Sequence, residues 1–309
     1  MIKRAIVTGA TGLTGNALVR YLSDKGIEVA AVARRNSSRI SSIPRRDNVK
    51  IIECNIDEYH NADSLFKDEY DAFFHLAWDG SLGNNKVDNR YNVELQMNNL
   101  NCFVQAVELS NRIGCKKFIA TGTQAEYGPV NGVIDENTPL KPTTAYGSAK
   151  VCAHNMSDIL CDRYGIALIW CRLFSIYGPH DGAMSLVDTA IKELVCNNKS
   201  IEYTSGLQKW NYLYSFDAAK ALYLLAEKTD KSDTFCVASK ESRPLKEYIN
   251  IIHEVSKTGI IPELGKKQSN SPVSMDVNID KLVNAAGFCE DYSFEQGIGI
   301  IFDEFKKRI

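Results

Sequence analysis

The chain has 309 residues, of which 44% are apolar and 24% charged, an ordinary composition for a globular protein long enough for one large or two unequal domains. The formal net charge is −2, and the absence of a basic tract argues against nucleic acid or a membrane surface as partner. No apolar run approaches the roughly 20 residues that a membrane-spanning helix needs. The start, Met1-Ile2-Lys3-Arg4, lacks the pattern of a signal peptide.

Nine cysteines are scattered along the chain, and none forms a C-x-x-C motif. Most lie in apolar segments, as Cys171 does in the run 168–171. This odd, dispersed set predicts buried free thiols in a reducing compartment, so we expect a cytoplasmic protein. Neither the cysteines nor the five histidines show metal-ligand spacing, so we expect no metal site.

The first half of the chain alternates between β-type and helical patterns, which favours an α/β fold with a doubly wound parallel sheet. After about Tyr177 helical stretches mix with short strands, which favours a smaller mixed α/β lobe. We therefore predict a dinucleotide-binding domain over 1–174, to which segments near 213–237 return, and a mainly substrate-binding lobe over 175–309. The predicted strands are 4–7, 28–33, 49–54, 72–76, 117–121 and 167–173, and the predicted helices are 13–25, 92–113, 144–164, 186–195, 217–227, 245–255 and 294–307.

A glycine-rich loop, 8–15, follows the first strand and opens the first helix. Its glycines, Gly9, Gly12 and Gly15, suit a tight turn, a close approach of pyrophosphate to backbone, and close packing of helix on strand. The helix N-terminus then faces the phosphates. Loop and context together predict a Rossmann dinucleotide site.

The end of the second strand indicates which dinucleotide is bound. NAD-binding proteins place an acidic residue about 20 residues beyond the loop, whereas an arginine there accommodates the 2′-phosphate of NADP. Here Arg34 and Arg35 follow the strand, with Ser38 nearby and no acid in the segment 34–39. The alternative is a solvated basic loop. We favour NADP(H), with NAD(H) as the second choice.

Tyr146 and Lys150 lie four residues apart at the start of a predicted helix, so both side chains face the same way. A lysine near a tyrosine lowers the phenol pKa and prepares it for proton exchange. The spacing alone is weak evidence, because Tyr21 and Lys25 repeat it on a predicted helix surface. The position of Tyr146, 23 residues after Thr123 at the end of a strand, favours a ligand site.

Taken together, these motifs resemble the extended short-chain dehydrogenase/reductases, the nucleotide-sugar epimerase/dehydratase superfamily. The resemblance covers essentially the whole chain. The segments that carry it are 8–15, 75–77, 123–128, the pair Tyr146 and Lys150, and 172–179.

The resemblance implies that Tyr146 is the acid/base, that Lys150 binds the nicotinamide ribose and tunes Tyr146, and that Thr123 bonds the substrate oxygen. Together with the glycine loop and the basic end of the second strand, it gives an expected cofactor site formed by Gly9, Thr11, Gly12, Leu13, Arg34, Arg35, Ser38, Asn55, Ile56, Leu76, Ala77, Asn99, Tyr146 and Lys150. Asn55 stands where the family usually has aspartate.

Departures from the family pattern narrow the reaction. The family's 4,6-dehydratases carry Asp-Glu directly after the catalytic threonine, but this chain has Gln124 and Ala125, with Glu126 one place too far along. Combined epimerase/reductases use a cysteine where Ala125 stands and a histidine that matches His180, so His180 is a substrate contact or a loop residue. The arginines at the end of the second strand favour NADPH as the cofactor. Because NADPH is a reductant that is consumed in each turnover, they favour a net reduction of the substrate.

We therefore predict NADPH-dependent reduction of the C4 ketone of a dTDP- or CDP-linked 4-keto-6-deoxyhexose in deoxysugar biosynthesis, with an NAD-dependent nucleotide-sugar epimerase as the alternative. Trp78 lines the sugar pocket or merely packs, and Arg243 binds the diphosphate or is a solvated loop arginine. The resemblance implies a homodimer formed through helices 92–113 and 144–164. The expected substrate-binding residues are Trp78, Thr123, Gln124, Ser175, His180, Gln208 and Arg243.

Overall fold

The structure is a computed structural model that describes residues 1–80, 89–179, 181, 185–268 and 273–307. The strands are β1 (Arg4–Thr8), β2 (Glu28–Ala33), β3 (Val49–Glu53), β4 (Ala72–His75), β5 (Lys117–Thr123), β6 (Val133–Ile134), β7 (Ala167–Leu173), β8 (Ile176–Tyr177), β9 (Lys209–Trp210), β10 (Leu213–Tyr214), β11 (Asp233–Val237), β12 (Arg243–Pro244) and β13 (Asp276–Val277). The α-helices are α1 (Leu13–Asp24), α2 (Val93–Arg112), α3 (Ala145–Tyr164), α4 (Leu186–Cys196), α5 (Ser215–Lys228), α6 (Leu245–Ser256), α7 (Asp280–Ala286) and α8 (Phe294–Lys306).

The main sheet has seven strands in the order β11-β7-β5-β4-β1-β2-β3, and all its pairings are parallel. The predicted doubly wound α/β fold is confirmed. The strand order reverses beside β1, where the chain continues into β2 on one side while β4 lies on the other. In such sheets ligands bind at the carboxyl ends of the strands at this switch point.

The strands form where the sequence is apolar on both faces, because helices cover both sides of a parallel sheet. Four of the five residues of β1 and all four of β4 are buried. One face packs against α1, α5 and α7, and the other against α2 and α3. A third apolar cluster joins α4, α6 and α8 around Tyr177 and Tyr214.

Local signals fix the ends of the long helix α3, which carries the Tyr146 and Lys150 pair. The Thr144 hydroxyl accepts a hydrogen bond from the Gly147 N–H at 3.0 Å and so caps the first turn. Gly165 ends the helix in the left-handed region at φ +67°, where glycine is favoured. These caps place the first turn of α3 beside the end of β5.

Later segments return to the main sheet: β11 pairs with β7, and α5 packs against α1. The division into 1–174 and 175–309 stays a prediction. All nine cysteines are free; six are buried, and Cys152, Cys196 and Cys289 are exposed. In the described part of the chain, no helix combines the length and apolarity needed to cross a bilayer.

Candidate active site

The glycine loop is packed so tightly against its surroundings that side chains are excluded. Gly9 has φ +68°, and a Cβ there would lie 2.9 Å from the Ala77 backbone nitrogen. A Cβ on Gly15 would lie 2.1 Å from the Gly9 carbonyl oxygen, and that same oxygen accepts the Gly12 N–H at 2.9 Å. The loop therefore presents backbone to the cleft, as a dinucleotide pyrophosphate requires.

The loop is tied to the neighbouring strand β4 through Thr8. Its hydroxyl accepts hydrogen bonds from the Leu76 and Ala77 N–H groups at 3.1 and 3.2 Å, and it also bonds His75 Nδ1 at 2.9 Å. Burial lowers the pKa of His75 to about 3, so its imidazole is neutral. These bonds hold the two loops of the switch point in register.

Because of this packing, Gly15→Ala is expected to lower the free energy of unfolding by about 1–3 kcal/mol, the usual cost of overpacking, and to weaken dinucleotide binding. Urea denaturation and calorimetric titration with NAD and NADP would measure both effects. Gly299→Ala in α8 is the matched control, since a Cβ there meets no atom within 4 Å. Its unfolding free energy should stay equal or rise. A Gly15 variant as stable and as tightly binding as the parent would contradict this packing argument.

A cleft of about 840 Å³ runs along the carboxyl ends of the strands, from the glycine loop to the first turn of α3. Its volume and position fit a dinucleotide with part of a substrate. Most of the residues expected at the cofactor or the substrate line it: Gly9, Thr11, Gly12, Leu13, Arg34, Asn55, Ile56, Leu76, Ala77, Trp78, Thr123, Tyr146 and Lys150.

At one end of the cleft the arginines that follow β2 take different directions. Arg34 and Arg39 line the cleft. Arg35, by contrast, lies outside it, because its Nε donates to both carboxylate oxygens of Glu58 at 3.1 Å. Arg35 is therefore directed away from the cleft, and Arg34 and Arg39 are the arginines that line this end of it.

Ser38 and Asn55, which were also predicted to contact the cofactor at this end, differ in their positions. Ser38 is exposed and lies outside the cleft, and the buried neighbour Ser37 lines it instead. Asn55 lines the cleft, and its side-chain oxygen accepts the Arg35 N–H at 3.0 Å. Asn55 therefore links the ends of β2 and β3.

At the other end lie Thr123, Tyr146 and Lys150, all of which line the cleft. The Thr123 hydroxyl accepts the Ala125 N–H at 3.2 Å. The buried Lys150 ammonium donates to the Thr121 carbonyl at 2.7 Å. The three side chains come from β5 and the first two turns of α3, as the sequence predicted.

The pKa values of this group differ from the expectation. Burial raises the pKa of Tyr146 to about 12, while a hydrogen bond with Thr123 acts in the opposite direction. Burial lowers the pKa of Lys150 to about 7, and Glu126 partly opposes this. The expected lowering of the Tyr146 pKa by Lys150 is not found, because the ammonium is directed to the Thr121 carbonyl.

Glu126 is fully buried behind Thr123 and forms an ion pair with Arg172, with 2.8 Å between Oε2 and Nε. Its Oε1 accepts the Thr123 N–H at 2.7 Å, and the Trp170 indole donates to both oxygens at 3.3 Å. With its carboxylate held in this way, Glu126 supports the end of β5 and does not face the cleft as a proton donor.

Five other predicted site residues lie away from the cleft or behind its wall. Buried Asn99 holds the Asp79 backbone through two hydrogen bonds, at 3.0 and 2.7 Å. The Ser175 hydroxyl donates to the Gln124 side chain at 3.4 Å. His180 lies outside the described residues. These five, which join Arg35 and Ser38 outside the cleft lining, are Asn99, Gln124, Ser175, Gln208 and Arg243.

Arg243 requires the clearest correction among the substrate candidates. Its guanidinium pairs with Glu241 at 2.7 Å and with Glu295 at 3.2 Å. It lines a second cavity of about 550 Å³, whose wall is rich in tyrosine. The two carboxylates therefore occupy the fork that was expected to bind a diphosphate.

Asp181 is a lining residue that the sequence analysis missed. It lies in the cleft, and its Oδ2 is buried without a hydrogen-bond partner. Burial raises its pKa to about 6. Its position just after the YGP segment 177–179 could have marked it as a site residue. No pattern in the sequence, however, indicates that its side chain points into the cleft.

Comparison with known proteins agrees with this architecture. The NAD dependent epimerase/dehydratase family matches residues 5–238. The chain is 24% identical over 268 residues to dTDP-D-glucose 4,6-dehydratase of Mus musculus, covering 82% of this chain and 74% of that one. It is 22% identical over 308 residues to UDP-glucose 4-epimerase of Halalkalibacterium halodurans, covering 93% and 90%.

Solved structures show the same fold over nearly the whole chain. UDP-N-acetylglucosamine 4-epimerase from Methanobrevibacter ruminantium M1, in complex with UDP-N-acetylmuramic acid, has a TM-score of 0.87 at 20% identity and covers 99% of both chains. UDP-glucuronic acid 4-epimerase from Bacillus cereus, in complex with NAD, has a TM-score of 0.84 at 19% identity, again with 99% of both chains covered. By its sequence match, the chain belongs to the NAD dependent epimerase/dehydratase family of extended short-chain dehydrogenase/reductases and is an enzyme with a pyridine nucleotide cofactor.

Proposed function

We propose that the protein is a nucleotide-sugar 4-epimerase that retains NAD through each turnover. The observation that carries this is the composition of the site: Thr123, Tyr146 and Lys150 share one end of the cleft, and no second proton-exchanging pair stands at 124–125. Inversion at C4 needs one acid/base, whereas elimination of water needs a second pair. The dehydratases among the relatives are therefore a less suitable guide than the epimerases.

In the proposed reaction each of the three side chains at this end of the cleft has its own role. Tyr146 accepts the proton of the sugar C4 hydroxyl and later returns it, and Thr123 bonds the same oxygen. Lys150 would bind the nicotinamide ribose. Oxidised nicotinamide, when bound, would supply a hydride acceptor and a positive charge. Inversion at C4 would require that the cleft let the oxidised sugar turn and present its opposite face.

A second candidate is the reduction of a nucleotide-linked 4-keto-6-deoxyhexose with NADPH. The observation that favours it is the pair Arg34 and Arg39 on the wall of the cleft, at the end of β2 where a 2′-phosphate is placed in this fold. In this reaction Tyr146 gives its proton to the new alkoxide. The same three catalytic side chains serve both reactions.

The cofactor preference is tested by the double variant Arg34→Ala/Arg39→Ala. If these guanidiniums hold a 2′-phosphate, the ratio of NADPH to NADH affinity should fall about tenfold or more, since hydrogen bonds to charged groups contribute roughly 1.5–3 kcal/mol. Fluorescence titration with both dinucleotides measures the ratio. Arg35→Ala should leave it unchanged, because Glu58 holds that side chain. An unchanged ratio in the double variant would remove the argument for NADPH.

One experiment separates the two reactions. The nucleotide released by denaturing the purified protein is identified, and the intact protein is offered UDP-hexoses without added cofactor. In parallel it is offered dTDP- and CDP-4-keto-6-deoxyhexoses with NADPH or NADH. Bound NAD and C4 inversion support the epimerase, whereas oxidation of added NADPH supports the reductase. If neither substrate class reacts, both proposals fail.

We also propose a homodimer formed through α2 and α3. Their outer faces expose apolar side chains, including Met97 at 57%, Met156 at 46% and Ile159 at 66%. Covering exposed apolar side chains on neighbouring helices is a common reason for association. Light scattering should give twice the monomer mass, and a monomer mass at micromolar concentration would overturn the proposal.

A further inference from the structure

Trp78, which follows β4, is fixed in place by a chain of side-chain hydrogen bonds. Its indole N–H donates to the Gln96 side-chain oxygen at 2.8 Å, and the Gln96 amide donates to the Asn89 carbonyl at 2.9 Å. Gln96 is almost completely buried on α2. The plane of the indole is therefore set by the protein.

The face of this indole meets the lysine of the catalytic group. Lys150 Nζ lies 3.9 Å from the centre of the Trp78 ring, within cation–π range, and also donates to the Thr121 carbonyl. The Trp78 and Tyr146 rings meet edge to face, with centroids 6.2 Å apart. One side chain thus contacts both members of the Tyr146 and Lys150 pair.

We propose that Trp78 is a positioning residue, which holds the Lys150 ammonium charged and in place through its ring face. A buried ammonium loses its hydration, and the carbonyl of Thr121 with the indole face replaces part of it. This assigns Trp78 a role different from the sugar contact or simple packing predicted for it. The inference uses the proposed function only in taking Lys150 to serve the reaction.

The effect of the indole on the Lys150 pKa can be measured separately from the effects of the other ionisable groups near Lys150. Glu126 favours the charged ammonium from behind β5, and His75 on β4 is neutral because burial lowers its pKa to about 3. Tyr146, one turn earlier on α3, is neutral because burial raises its pKa to about 12. Replacing Trp78 with another uncharged residue leaves all these charges unchanged.

The test measures the pKa of Lys150 directly, in cofactor-free protein and without substrate. Competitive acetylation across a pH series, followed by mass spectrometry of the Lys150 peptide, gives the lysine pKa. Trp78→Leu, which keeps apolar bulk but removes the ring, should lower that pKa by about one unit. Trp78→Phe should give a smaller fall in the same direction, because phenyl binds cations more weakly than indole. Trp210→Leu, the control, should give the parent value.

Activity supplies a second readout. In the Leu variant the alkaline limb of kcat should move to lower pH with the lysine pKa, and KM should change less than kcat. If Trp78→Leu fails to fold, Trp78→Phe alone decides by the direction of its shift. A Lys150 pKa equal to that of the parent in each folded Trp78 variant overturns the proposal. Because labelling needs no substrate, this outcome is distinct from a wrong assignment of the reaction.

Discussion

Tyr146→Phe is expected to lower kcat by about 10²–10⁴-fold, the usual contribution of a positioned acid/base. The phenyl ring keeps the packing against Trp78, so the dissociation constant of the dinucleotide should change little. The substitution removes only the hydroxyl, which is the group that hydrogen-bonds Thr123 and would exchange the proton. Steady-state kinetics on the accepted substrate, with calorimetric titration of the cofactor, measure both quantities.

The chain supplies its own control for this prediction. Tyr21 and Lys25 repeat the four-residue spacing on α1, with Lys25 Nζ 5.5 Å from the ring centroid, but they do not line the cleft. Tyr21→Phe should therefore leave kcat and KM unchanged. If the two variants behaved alike, the catalytic role of Tyr146 would have to be withdrawn.

Glu126→Gln is expected to lower the free energy of unfolding by about 3–5 kcal/mol, because it leaves the buried Arg172 charge without its partner. We expect a loss of activity as well, because the Thr123 N–H and the Arg172 Nε bond to different oxygens of Glu126 and glutamine offers only one. Urea denaturation measures the stability, and the activity of the folded fraction measures the second effect.

The matched control is the ion pair between Asp24 and Arg46, in which both side chains are exposed. Asp24→Asn should cost less than about 1 kcal/mol, because solvent screens a surface pair. Equal costs for the two substitutions would contradict the importance assigned to the buried pair. A Glu126 variant with normal stability but no activity would instead point to direct chemistry by Glu126.

The fold could be predicted because its signals are local. Apolar runs bounded by turn residues mark the parallel strands, and Gly165 marks the end of α3 through a left-handed conformation. The glycine loop could be predicted for the same reason, since the close approach of Gly15 to the Gly9 carbonyl oxygen leaves no room for a side chain. The three catalytic candidates follow from the order of strand and helix, which brings the end of β5 to the start of α3.

Side-chain direction could not be predicted, because it depends on partners far away in the sequence. Arg35 pairs with Glu58 on a neighbouring segment and lies outside the cleft, which Arg34 and Arg39 line. Arg243 is held by Glu295, and the Lys150 ammonium is shared between Thr121 and Trp78. The relatives matched by sequence include dehydratases and epimerases, whereas the basic end of β2 led to the prediction of a reductase.

In the proposed epimerase, C4 of a nucleotide-linked hexose loses its hydrogen as hydride and regains it on the opposite face. A UDP-hexose carrying deuterium at C4 tests this transfer, with the product analysed by mass spectrometry and NMR. We predict an epimerised product that retains the deuterium at C4 without added cofactor. An epimer in which solvent hydrogen has replaced the deuterium would exclude hydride transfer at C4, because the label would then have left as a proton.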